Sequence, residues 1–278
     1  MKLIYMLLLM FLMAQALGMF TGMIILHDFT QNPYVSSLVV TADAQDPLNA
    51  LLFIGYTVLG AVVIVLVIRR FRLNMVVFRI MEFILIATSS SLVFYAICRL
   101  ALGYEISTIA GMAAGLSLAG AKVFMPQLKN PSAILATAGV GVVFGISMGV
   151  VPVLIFLALL SIYDFLSVFI TRHMVEIADY IITRDLAFTV TAKAVVPETR
   201  EVKRIDLGTG DLIAPIMMEV SIMPYSRVAA VFVMLGSFIA MALFLTLVWK
   251  KKLVLPALPP IVLGMVAGLL AWYALGAL

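Results

Sequence analysis

Apolar residues run along this chain in nine blocks of roughly bilayer width, separated by short polar connections. The blocks fall near 3–26, 48–68, 75–98, 105–125, 132–149, 151–171, 208–224, 227–249 and 254–277. Each predicts a helix, because a chain inside lipid must satisfy its backbone polar groups internally. Lys2 followed by leucines and methionines, with Ala14-Gln15-Ala16 behind them, also has the form of a cleaved signal. The apolar run continues to Leu26, a full bilayer width, which favours a retained helix. The expected fold is therefore an all-α polytopic membrane protein with nine transmembrane helices.

Composition agrees. Of 278 residues, 64% are hydrophobic and 12% charged, against about a quarter charged in soluble domains. That excludes an ordinary soluble globule, a disordered chain and a disulfide scaffold. The single cysteine, Cys98, excludes an intrachain disulfide, and His27 and His173 lie too far apart in sequence for a metal motif. No metal and no organic cofactor are expected.

Charge sets the expected direction. With the N-terminus inside, 15 of the 18 Lys and Arg residues fall on one side. They are Lys2, Arg69, Arg70, Arg72, Lys122, Lys129, Arg172, Arg184, Lys193, Arg200, Lys203, Arg204 and Lys250–Lys252. Arg99 and Arg227 fall outside, and Arg79 falls within a span. The positive-inside bias therefore predicts N-terminus inside and C-terminus outside. The same clustering at span ends explains the +4 net charge without nucleic acid. The first outer loop, 27–47, carries Asp28, Asp43 and Asp46 and neither Lys nor Arg.

Three regions follow: helices 1–6 over 1–171, a cytoplasmic connection over 172–206, and helices 7–9 over 207–278. The first half of the connection, His173 to Phe188, mixes apolar and charged positions and reads as an interfacial extension of the sixth helix or a solvated linker. The second half contains the strand formers Thr189, Val190, Thr191, Val195 and Val196, and reads as a short strand or a loop.

Four acids fall inside predicted spans: Glu82, Asp164, Asp211 and Glu219. A mid-membrane acid costs about 2.5–3.5 kcal/mol by insertion scales, so each calls for a reason. Glu82 has Arg79 three residues before it and is expected to pair with it. Asp164 precedes Arg172 by about 12 Å of helix, and Asp211 follows Arg204 by about 11 Å. The two acids therefore sit at similar depth on consecutive spans. Carboxyls sharing one site do not both ionise easily and titrate as a unit. Such a pair suits aspartic-protease chemistry, in which a carboxylate activates water and a protonated acid polarises the scissile carbonyl. It equally suits a proton relay or ion site, so a cation channel or proton-coupled transporter stays open. Glu219 lies about 12 Å beyond Asp211, too far to be its partner, and reads as a buried acid or the lining of a water path.

The surroundings of Asp211 weigh on the choice. Gly208-Thr209-Gly210-Asp211 opens the seventh span with glycines that admit another backbone closely and weaken the helix start. Pro215 removes the N–H that would bond the Asp211 carbonyl. Irregular backbone at membrane depth belongs where it lines a cavity or is buried in protein. Pro256-Ala257-Leu258-Pro259-Pro260 opens the ninth span with more missing donors, and gives either an ordinary helix start or a docking edge for an extended peptide.

Tyr163-Asp164 on the sixth span, Gly208-Thr209-Gly210-Asp211 on the seventh and Pro256-Ala257-Leu258 at the ninth resemble the YD, GxGD and PAL motifs of the presenilin and signal peptide peptidase family. The resemblance covers the nine-span layout and essentially the whole chain, and its specificity lies in three short motifs occurring in order. It implies an intramembrane aspartyl protease with Asp164 and Asp211 as the catalytic pair. Tyr163, Gly208, Thr209, Gly210, Pro256, Ala257 and Leu258 would shape the site and hold substrate. The implied partners are transmembrane-helix protein substrates and the lipid bilayer. Thr209 stands where presenilins usually carry leucine, which touches side-chain preference near the cut rather than the chemistry. The 172–206 loop is much shorter than the one presenilins cut during maturation, so a single uncut chain is expected.

The expected orientation resembles that of presenilins, which are inverted relative to signal peptide peptidases, and implies substrates with their N-terminus outside. Brevity suggests a microbial homologue in the cell membrane. A prepilin-type peptidase also uses a GxGD aspartate, but lacks the PAL element. Gly141, Gly145 and Gly149, and Gly111 and Gly115, form small-residue stripes that favour close helix packing within the chain, with a homo-oligomer contact as the alternative. The 18 methionines suit adaptable filling.

Overall fold

The computed structural model describes residues 2–29, 31–71, 75–169, 186–195, 202–251 and 256–276. Arg72, Arg172, His173, Arg184, Val196, Arg200, Lys252 and most of the expected interfacial extension lie outside the described residues. Among those described, nine helices have at least 14 residues. They are α1 Lys2–Asp28, α2 Leu48–Phe71, α3 Met75–Arg99, α4 Tyr104–Phe124 and α5 Lys129–Ser147, then α6 Val150–Phe169, α7 Thr209–Ile222, α8 Arg227–Lys251 and α9 Leu258–Gly276. Their starts and ends fall within a few residues of the apolar blocks. Seven are long and apolar enough to cross a membrane. In α2 the apolar stretch among the described residues is the shorter Leu48–Ile64.

The remaining one, α7, has 14 residues, or about 21 Å of helix, less than a bilayer core of about 30 Å. It is the centre of the molecule. Leu212 and every residue from Ala214 to Ile222 are buried, and α1, α5, α6, α8 and α9 all pack against it. Glycine permits this. A Cβ on Gly141 would fall 2.6 Å from Cγ2 of Ile216, and one on Gly145 would fall 2.7 Å from Cβ of Val220. Gly18 and Gly22 of α1 approach the same two residues from another side. Small residues on both neighbours therefore bring their backbones against α7. Gly111 and Gly115 similarly admit the backbone of α3 at Ser91. Gly149 differs from its stripe, since it packs on the side chain of Gln45 rather than on a helix.

The first connection, after Asp28, lies across helix ends. Gly149 N–H donates to the Ala44 carbonyl at 2.7 Å, Val40 N–H to Ser147 Oγ at 3.0 Å, and Gln45 Nε2 to the Tyr225 hydroxyl at 2.8 Å. Asp28, 1% exposed, accepts from Tyr95 Oη at 2.6 Å and Arg99 Nε at 2.7 Å, and so clamps the end of α1 to the end of α3.

The connection before α7 carries the one departure from an all-helical chain among the described residues. Strand β1, Thr189–Val195, pairs antiparallel with β2, Val202–Gly208. The register sets Thr189 opposite Gly208 and Thr191 opposite Asp206. The strand formers at 189–195 are thus a strand. Its partner, Val202-Lys203-Arg204-Ile205-Asp206-Leu207-Gly208, carries three charges in seven residues, and that masks its pattern in the sequence.

Candidate active site

The hairpin delivers the chain directly into α7. Strand β2 ends at Gly208, which is also the residue before the first helical turn, with extended backbone at φ −63°, ψ 143°. Thr209 is fixed on arrival: its N–H and its Oγ1 both donate to the Phe188 carbonyl at 3.1 Å. Asp211 sits in the first turn of α7, and its carboxyl faces the N–H of Gly208, the residue before that turn, in the arrangement of half a capping box. The helix start thus aims the carboxyl.

Gly208 and Gly210 were expected to admit a second backbone. Beside Gly208 runs the backbone of β1, opposite at Thr189, and no described backbone lies within 4 Å of a Cβ at either glycine. A Cβ on Gly208 would meet only Asp211 Oδ2, at 3.4 Å, and a Cβ on Gly210 would meet nothing within 4 Å. Gly210 is exposed and Thr209 and Asp211 are partly buried, so open space adjoins the acid. Pro215 lies inside α7 and is buried. It leaves the Asp211 carbonyl without its usual helical donor.

Asp164 lies five residues before Phe169, the last described residue of α6, partly buried, beside a partly buried Tyr163. Its carboxyl and that of Asp211 are within electrostatic reach of each other. The third segment joins them from α9. Pro256 and Ala257 are buried and non-helical, and α9 begins at Leu258. The N–H of Leu258, one of the donors a helix start leaves over, points to Asp164 Oδ2 at 3.4 Å. Ninety-four residues separate these two groups in the chain. The structure therefore assembles Tyr163-Asp164, Gly208–Asp211 and Pro256–Leu258 around one place, where α6, α7 and α9 pack on each other. Each carboxyl faces a backbone N–H at the start of a helix, and among the described residues neither pairs with a cation. Among the described residues, no cluster of three or more metal-ligating side chains occurs.

The other two acids are elsewhere. Glu82 does not pair with Arg79 on its own helix. It accepts from Lys122 Nζ of α4 and from the Ala187 N–H just before β1. Lys122 reaches it because α3 and α4 lie side by side along their whole length. Glu219 is wholly buried in α7, and neither of its oxygens has a hydrogen-bond partner among the described residues. Residues that set the site without appearing in any motif are Ala187 and Phe188, which act through backbone atoms and so leave no mark in side-chain patterns. Lys129 and Asn130, where α5 starts, also reach β1.

Residues 9–277 match the family described as signal-peptide peptidase, presenilin aspartyl protease. Two solved structures of a presenilin family intramembrane aspartate protease share the fold. One, in a C222 space group, superposes with a TM-score of 0.70 at 23% identity, covering 98% of this chain and 99% of that one. The other, in a P2 space group, gives 0.63 at 24%, covering 94% and 96%. No curated protein matches the chain.

Proposed function

The chain belongs to the signal-peptide peptidase and presenilin aspartyl protease family, and from that premise we propose that Asp164 and Asp211 are its catalytic pair. The observation that carries the proposal is the convergence of three distant segments: the Leu258 N–H points to Asp164 Oδ2, Asp211 stands in the turn that Gly208 opens, and each acid is within electrostatic reach of the other. In this GxGD-type reading one carboxyl is ionised and the other protonated. The ionised one takes a proton from water as the hydroxyl adds to the scissile carbonyl carbon. The protonated one gives its proton to the carbonyl oxygen, forming a gem-diol. Proton transfer to the amide nitrogen then breaks the C–N bond and releases a carboxyl and an amine.

The substrate is a transmembrane helix, which must unwind locally because a helical peptide bond is shielded by its own turn. The open space at Gly210 and the non-helical Pro256–Ala257 segment favour an extended chain at this point. Tyr163 and Thr209 border that chain and set its side-chain preference. In the nine-helix layout the short α7 crosses inside the protein, enclosed by the longer helices rather than by lipid, with the N-terminus and the 172–206 connection inside and the C-terminus outside, in the cell membrane of a microbe. The small-residue stripes are spent on internal contacts, so a homo-oligomer is not required for catalysis.

The test is cleavage of a single-span reporter by the purified chain in detergent, with a transition-state isostere for aspartyl proteases alongside. Cleavage that the isostere blocks, and that disappears in Asp164→Ala and in Asp211→Ala, is the expected result. Residual wild-type cleavage in either folded variant would overturn the assignment.

A further inference from the structure

Strand β1, which pairs with the strand leading into α7, packs against α1 and the start of α5, and Asn130 of α5 bonds its backbone. Its carboxamide makes a reciprocal pair with one residue of β1. Asn130 Nδ2 donates to the Thr191 carbonyl at 2.7 Å, and Thr191 N–H donates to Asn130 Oδ1 at 2.9 Å. A carboxamide offers one donor and one acceptor side by side, as a neighbouring strand would. The partner residue is 4% exposed, so water is not a ready substitute.

The adjoining groups reinforce the same point. Lys129 Nζ, also buried, donates to Thr191 Oγ1 at 3.0 Å. Thr191 Oγ1 donates to Asp206 Oδ1, and Arg204 holds Asp206 through Nε at 2.6 Å and Nη2 at 2.7 Å. Thr191 and Asp206 are cross-strand partners, so the α5 start holds β1 directly and β2 through Thr191 at one rung. Two pairs further along the ladder, Thr189 faces Gly208, whose N–H faces the Asp211 carboxyl at the start of α7. Phe188, the residue before β1, supplies the carbonyl that fixes Thr209. Displacement of β1 would therefore be transmitted within two or three residues to the donor that aims Asp211.

We infer that Asn130 is a positioning residue for peptide-bond hydrolysis, acting on Asp211 through the β1–β2 hairpin. The inference rests on the reading of Asp211 as catalytic. It concerns alignment of the carboxyl and not capture of substrate, so its loss lowers turnover and leaves substrate binding in place.

The experiment uses the full chain in detergent with a single-span reporter. It measures kcat, KM and Tm, and titrates competent sites with a transition-state isostere. Asn130→Ala removes both hydrogen bonds. Asn130→Asp keeps the shape and one bond while setting an oxygen against the Thr191 carbonyl. Both should lower kcat per titrated site about tenfold, with KM within about twofold and Tm lowered by only a few degrees, the protein still folded. Wild-type kcat in both variants, beside an inactive Asp211→Ala, overturns the inference alone. Fewer titrated sites and a lower Tm, with kcat per site preserved, also overturn it, because the side chain would then be holding the fold only. Failure of both variants to fold has the same meaning. Activity retained in Asp211→Ala would instead strike the underlying assignment.

Discussion

Single carboxyls in this protein differ by who donates to them. Asp164 and Asp211 each face a backbone N–H at a helix start and, among the described residues, neither pairs with a cation, an arrangement that suits trading a proton. Substitution of either by asparagine keeps the shape and removes the acid–base function. Cleavage should fall by about 10²–10⁴-fold or more, with Tm unchanged, in the reporter assay. Glu82 is the contrasting case, a 5% exposed side chain shared between Lys122 and the Ala187 N–H. Glu82→Ala leaves a buried ammonium uncompensated and should destabilise the protein by about 3–5 kcal/mol, read as a large drop in Tm. Gly210 lies at the other extreme. Because a Cβ there meets nothing, Gly210→Ala should fold with wild-type Tm, and any loss of cleavage would appear in KM as interference with an approaching chain. At this scale the sequence exposes the acids and their cost, but not their partners. Arg79 is the near neighbour of Glu82 in sequence, and Lys122, forty residues away, is the one in space.

Elements show where local pattern suffices and where it fails. The long apolar helices are legible because hydropathy sums over consecutive residues. Strand β1 is half legible from its β-branched residues. Strand β2 is not, because Lys203, Arg204 and Asp206 hide its period and only pairing with β1 makes it a strand. For α7 the glycines, the proline and two acids describe a weak helix, yet its burial among five others makes it the core. Gly145→Leu should drive a side chain into Val220 and the Met217 carbonyl, and a sharp loss of folded protein in detergent is the expected outcome. Glu219→Met, by contrast, replaces a buried acid lacking partners among the described residues with an apolar chain of similar length. Its Tm should hold or rise. A fall would mean that the acid has work to do in α7.

The whole molecule is a set of apolar helices arranged around one short central helix, with three motif segments drawn to a common point. The proposed direction in the membrane rests on cations gathered at alternate helix ends. A C-terminal fusion should therefore report the outer side, and a reporter within 172–206 the inner side; the reverse readings would invert the proposed substrate orientation. Sequence alone determined the membrane class, the approximate helix positions, the expense of four acids and the three motifs. All of these depend on residue identity and on distances along one chain. Tertiary structure alone decided that Leu258 reaches Asp164, that Glu82 belongs to Lys122 and Ala187, that the charged segment before α7 is a strand, and that Asn130 clasps its partner. Apart from the strand pairing, which is local, those contacts join groups 40 to 105 residues apart. Backbone donors make several of them, and a backbone N–H is the same at nearly every position, so only the packing of helices says which one arrives.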